Sequence, residues 1–262
     1  MDAPGRFALA VNGPEASVDL AEACFLIAAN IYPDLDVTAQ LRRLDALAVR
    51  CPPGFDGLRT YLFENLGFRG NTERYDDPRN SLLNDVLDRR VGLPITLSIL
   101  AIEVGRRVGV PLSGVAMPAH FVVRHDREPQ SVFVDAFAGG ELLDAAGCRD
   151  RFHEIVGVDV PFDPDWLKPV PTMQILLRVL ANLKDVYTQR TQWHNVEWVV
   201  RCRLSVPGCP PPERRDLANA IGQQGRFEEA ARELDTLARI TADPDARHTI
   251  TSEAITMRAR LN

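Results

Sequence analysis

The sequence predicts an α+β protein with helices at both ends of the chain and a short run of strands between them. Three observations carry this reading. Residues 18–66 place apolar side chains at helical spacing, residues 94–135 read as a buried helix followed by β-rich runs, and everything beyond residue 172 returns to the helical period. At 262 residues the chain is long enough to bury one large core or two ordinary ones, and 45% hydrophobic with 25% charged residues is a globular balance.

The first helix is expected over 18–30, with Leu20, Ala23, Cys24, Ile27 and Ala28 on one face, Ser17 as cap and Pro33 beyond its end. A second follows over 36–49 and is broken by Cys51-Pro52-Pro53-Gly54. A third, over 57–66, stops at Gly67. Residues 68–80 are polar and carry turn formers at Gly70-Asn71 and Asp76-Asp77-Pro78. A short helix over 82–90, capped by Asn80 or Ser81, comes next, with Asp85 and Arg89 spaced for an i,i+4 pair.

Pro94 suits the first turn of a helix, where its missing N–H costs nothing. Between residues 95 and 108 the apolar positions cover more than one stripe, which predicts a central helix buried on most sides and ended by Gly109. Strands are expected over 112–117, 119–124 and 131–135, with turns at Pro118 and at 127–129. Ala138-Gly139-Gly140 makes another turn, and Leu142-Leu143 begins a short element. Residues 144–171, punctuated by four prolines, read as a linker. Helices then follow over 175–187, 196–204, 213–223, 227–240 and 245–261. The first two pairs match at an offset of 34 residues, Gln192-Trp193 falling where Arg226-Phe227 does, which is the tetratricopeptide period.

A net charge of −6 argues against non-specific nucleic-acid binding and against an anionic membrane surface. Five scattered cysteines, odd in number and never spaced as CxxC, argue against a disulfide framework or a zinc site. Residues 1–20 lack the apolar run of a signal peptide, and no stretch is long and apolar enough to span a membrane. The expected location is the reducing cytoplasm, with neither cofactor nor metal.

Chemistry concentrates in the middle of the chain. A thiol works best as a nucleophile at a helix N-terminus, with a histidine as base and an aspartate to orient it. The central helix, His120 on one strand and Asp135 on the next supply that order, although a lone strand histidine is just as readily a satisfied core residue. His125 faces away from His120, so the two do not share a metal. Where the thiol belongs stands Pro94. Thr96 and Ser98 are the nearby hydroxyls, but they start from a far higher pKa and show no oxyanion hole. Asn80, Asn84 and Asp85 are possible supporting residues, and Cys24 and Cys148 read as structural.

Asp34-Leu35-Asp36, Tyr61-Leu62-Phe63, Gly67-Phe68-Arg69-Gly70-Asn71 and Asp77-Pro78-Arg79-Asn80-Ser81 carry a resemblance that Asn84-Asp85-Val86-Leu87, Gly92-Leu93-Pro94-Ile95-Thr96-Leu97 and Pro118-Ala119-His120-Phe121 extend. On these stretches the chain resembles the bacterial SirB family, a transglutaminase-like domain followed by tetratricopeptide repeats. The resemblance implies a papain-like, transglutaminase-like core over 1–165 (helical front section 1–70, core 71–165) and helical repeats over 172–262. It makes His120 the triad histidine and Asp135 the triad aspartate, with Pro94 in the slot of the nucleophilic cysteine. Ala119 and Ala136 stand where the family has glycine and proline.

Two functions follow as expectations. The first is a non-catalytic, regulatory protein that binds a protein or peptide partner through its C-terminal repeats, with no nucleic acid and no membrane. The second is a hydrolase, amidase or acyl-transferase of altered chemistry that uses His120 and Asp135.

Overall fold

The computed structural model describes residues 2–127 and 130–260. They fall into two compact units, one formed by Pro14–Val179 and the other by Met1–Gly13 with Leu180–Asn262. The first helix, α1 (Ala3–Val11), belongs to the second unit, although the sequence reading places residues 1–13 with the front section. Its apolar stripe decides this: Phe7 and Val11 are fully buried, and α1 packs on the C-terminal helix Trp193–Ser205.

Within the larger unit, α2 (Leu20–Ala28) is capped by Asp19, whose Oδ1 accepts from the Glu22 N–H at 2.9 Å; the expected cap, Ser17, instead closes a 3₁₀ turn on the carbonyl of Pro14. Asp36 caps α3 (Val37–Arg50) in the same way. Then α4 (Gly54–Arg59) runs on into a π-helical turn, Thr60–Asn65. Strand β1 (Arg69–Gly70) pairs in parallel with β2 (Val91–Gly92), and between them lie a 3₁₀ turn (Pro78–Ser81) and α5 (Leu83–Arg89). Asn80 and Ser81 belong to that turn, so α5 has no side-chain cap. The expected Asp85–Arg89 pair gives way to longer-range partners. Asp85 accepts from the Tyr32 hydroxyl at 2.9 Å, while Arg89 turns to Asn80 and Asp77.

The central helix forms as expected. α6 (Pro94–Val108) buries eleven residues, among them Ile95, Leu97, Ile99, Leu100 and Val104, against α2, α3, α4 and α5 on its flanks and the sheet beyond. Gly109 ends it with φ +75, a conformation that costs glycine nothing. The antiparallel sheet follows in chain order: β3 (Ser113–Val115), β4 (Val122–His125), β5 (Val132–Asp135) and β6 (Glu141–Leu143). Its register pairs Val115 with Val122, Val123 with Val134, and Asp135 with Glu141. The turn expected at 127–129 reaches residues 128 and 129, outside the described residues. Gly139 and Gly140, with φ +69 and +82, make the turn into β6 as read.

Residues 144–171 are not a linker. They contain α7 (Ala145–Val156), capped by Asp144, and a 3₁₀ turn (Pro164–Leu167). Phe152 is fully buried among Phe162 and Trp166, and Cys148 sits in a cluster with Val115, Met117, Val122 and Phe133. Prolines mark the turns after α7 rather than a solvated connection.

The division between the units falls within α8 (Thr172–Gln189). In the second unit α9 (Trp193–Ser205), α10 (Glu213–Gly222), α11 (Phe227–Ile240) and α12 (Pro244–Ala259) follow, and each packs on the next. Backbone geometry repeats at 34 residues: Gln192 (φ −85°, ψ 68°) precedes α9 as Arg226 (φ −89°, ψ 59°) precedes α11. One residue earlier, Thr191 and Gly225 are both left-handed, at φ +53 and +78. Among the described residues no helix is long and apolar enough to cross a membrane.

Candidate functional site

Asp135 closes β5 and His120 lies two residues ahead of β4, in the turn after Pro118 rather than within a strand as expected. The antiparallel pairing of β4 with β5 nevertheless brings them together. His120 Nε2 lies 2.9 Å from Asp135 Oδ2, with the imidazole 5% exposed and the carboxylate fully buried. An ionised carboxylate only accepts, so in the neutral ring Nε2 carries the proton and Nδ1 keeps the lone pair. The other carboxylate oxygen accepts the N–H groups of Phe137 and Ala138 at 3.0 and 3.1 Å.

A third member was missed. Arg151, on α7, donates to the same Oδ2 at 2.8 Å and extends to Glu141 and Glu154. Burial opposes ionisation of Asp135. Even so, the bond and charge of His120, the Ala138 N–H and the Arg151 guanidinium together hold its pKa below the ordinary range. The signal for α7 was present: Cys148, Phe152 and Ile155 recur at helical spacing, and the prolines after them obscured it.

The ring of Phe137 meets His120 edge-on at 6.5 Å and Tyr75 at 5.8 Å. A Cβ on Gly70 would come within 2.5 Å of that ring, so glycine is required where β1 passes it. Ala119 has φ +60, the left-handed region that glycine enters without penalty. Replacing Ala119 with glycine is therefore expected to stabilise the protein by about 0.5–1 kcal/mol, read as a higher urea midpoint at unchanged slope. An unchanged or lower midpoint would mean that the turn beside His120 carries no strain.

The remaining expected residues are placed around α6. Pro94 is its first residue and is buried. The Ser98 hydroxyl donates back to the Pro94 carbonyl at 2.8 Å, and Thr96, 1% exposed, has no partner for its oxygen among the described residues. Asn80 ties the loop before α6 together. It donates to the carbonyls of Arg74 and Tyr75, accepts from Asn71 at 2.9 Å, and receives the Leu93 N–H on its backbone oxygen. Asn84 is buried, and its side-chain amide oxygen has no partner among the described residues. Asp85 faces Tyr32 instead of the His–Asp pair; burial raises its pKa and pushes the tyrosine up to about 12.

No thiol is activated. Burial raises Cys24 far above its ordinary value, and pushes Cys148 and Cys202 up to about 12; Cys51 and Cys209 are raised for the same reason. His125 stacks on Phe55 at 4.4 Å and bonds the Pro111 carbonyl, away from His120. Among the described residues no group of three His, Cys, Asp or Glu is arranged to hold a metal ion.

Comparison with known proteins adds five findings. A family model described as the transglutaminase-like superfamily matches residues 36–181. A UPF0162 protein of Xylella fastidiosa is 35% identical over 233 residues, 84% of this chain and 83% of its own length. A UPF0162 protein of Pseudomonas aeruginosa is 30% identical over 178 residues, and F-box only protein 21 of Mus musculus is 34% identical over 102, which is 16% of that protein. No solved structure matches the chain.

Proposed function

The chain belongs to the transglutaminase-like superfamily, and from that premise we propose that it is a non-catalytic, regulatory member of SirB type, working by protein–protein contact in the bacterial cytoplasm. One observation carries the reading. Pro94, which has neither a nucleophilic atom nor an N–H, opens α6, the helix start that the resemblance assigns to the attacking cysteine, while His120 and Asp135 form a buried pair. Arg151 supports it further. A guanidinium on the same oxygen draws off the negative charge that would stabilise an imidazolium, so the pair suits a structural tie better than a base.

The partner in this reading is a protein or peptide held by a tetratricopeptide-type C-terminal region. The repeated backbone geometry before α9 and α11 supports that assignment. An enzyme of altered chemistry is the second reading, and the intact 2.9 Å contact between His120 and Asp135 favours it.

The two are separated by treating the protein and its His120→Gln variant with a chloroacetamide and a fluorophosphonate, followed by peptide mass mapping. The expected outcome is no adduct that depends on His120. One on Thr96 or Ser98, lost in the variant, would establish the second reading.

A further inference from the structure

A cleft of about 270 Å³ opens between α3, α5 and the chain just before β1. Leu47, Phe68 and Leu87 make its floor apolar, and the side chains of Arg43, Arg50 and Arg90 stand around it. Two of these cations are partly engaged. Arg43 pairs with Asp88 at 2.6 Å, and Arg90 donates to the Leu66 carbonyl at 3.0 Å. Arg50 is exposed and has no partner among the described residues. In a chain of net charge −6, three arginines around one apolar hollow run against the background.

Arg90 adds a second observation. It ends α5 with φ +58, a left-handed conformation that glycine adopts freely and arginine does not. Gly109 fills the equivalent place after α6. Beside the cleft the chain holds a strained residue whose side chain lines it, as strained residues do at ligand clamps.

We propose that this cleft binds an acidic peptide segment of a partner protein, which inserts one apolar side chain and lays its flanking carboxylates on the arginines. The volume holds one leucine- or phenylalanine-sized group and lies below the roughly 300–1,000 Å³ of sites for larger small molecules. Guanidinium forks match carboxylates with two parallel hydrogen bonds, which gives the rim its selectivity. The site is separate from the buried His–Asp pair and does not depend on whether that pair is catalytic.

The test is fluorescence anisotropy on the full chain with a labelled, amidated peptide, Glu-Asp-Glu-Phe-Glu-Asp-Glu. One control carries serine in place of phenylalanine; another keeps the phenylalanine between glutamine and asparagine. Saturable binding is expected, weakened at least about tenfold by either control, by Arg50→Glu and by Arg90→Gly. Arg90→Gly keeps the test decisive, because glycine accepts the backbone conformation and the variant should unfold at an equal or higher denaturant midpoint. No saturation by about 1 mM overturns the proposal. So does equal affinity for the serine peptide, which would reduce the effect to charge attraction. Dodecanoate binding that depends on Arg50 in a protein that ignores the peptide would assign the cleft to a fatty anion, and self-association abolished by Arg50→Glu would assign it to a second copy; either outcome also overturns it.

Discussion

Replacing Asp135 with alanine is expected to cost about 3–5 kcal/mol, a large share of the roughly 5–15 kcal/mol that holds a domain folded. The carboxylate is fully buried and answers four donors: His120, Arg151 and the N–H groups of Phe137 and Ala138. Its removal strands the buried His120 ring N–H and two backbone donors at once, while Arg151 keeps Glu141 and Glu154, and stranded partners cost more than the lost bonds themselves. Asn is expected to cost less, since it still accepts from the backbone while losing the charge. Urea unfolding of both variants checks this. A loss under about 1 kcal/mol for the alanine variant would show that the pair is not tied into the core.

The same carboxylate predicts the acid limb of stability. Its folded pKa lies below the ordinary 3.8, so the folded state favours the ionised form. The contribution is therefore complete above 3.8 and is lost as the pH falls through the lower folded value. The Asn variant has no such carboxylate. Its stability should decline less steeply over that acid range, and parallel curves for the two proteins would assign the acid limb to other groups.

Phe152→Ala is expected to cost a similar amount, about 3–5 kcal/mol, although the surrounding sequence reads as a linker. Its ring is fully buried and meets Phe162 at 5.6 Å and Trp166 at 5.0 Å. Deleting it opens a cavity under the helix that delivers Arg151, so the local environment of His120 should change as well. Calorimetry gives the stability, and the imidazole proton resonances of His120 report the local effect. An unfolding temperature within a degree or two of the parent would return residues 144–171 to the status of a connection.

Much of the fold is legible without coordinates because helices are written locally. α6 is legible from Pro94 at its start, Gly109 at its end and apolar residues on most sides, and α11 occupies the 227–240 range expected of it. Local signals misled where a long-range partner outbid them. Asp85 and Arg89 have the spacing of a pair, but Tyr32, Asn80 and Asp77 claim them. Ser17 is a plausible cap, and Asp19 is better placed by two residues. Proline-counting hid α7, whose helical spacing only makes sense once Phe152 has aromatic neighbours.

By itself the sequence determined most of the run of helices and strands, a proline rather than a thiol at the start of α6, and the candidacy of His120 and Asp135. Those follow from short-range periodicity and from residue chemistry at fixed positions. Tertiary structure alone decided that Arg151 shares the carboxylate, that the pair is sealed from solvent, and that α1 packs with the C-terminal helices. Each of these joins residues far apart in the chain, and a contact of that kind is set by which surfaces exclude water together, which no local pattern encodes.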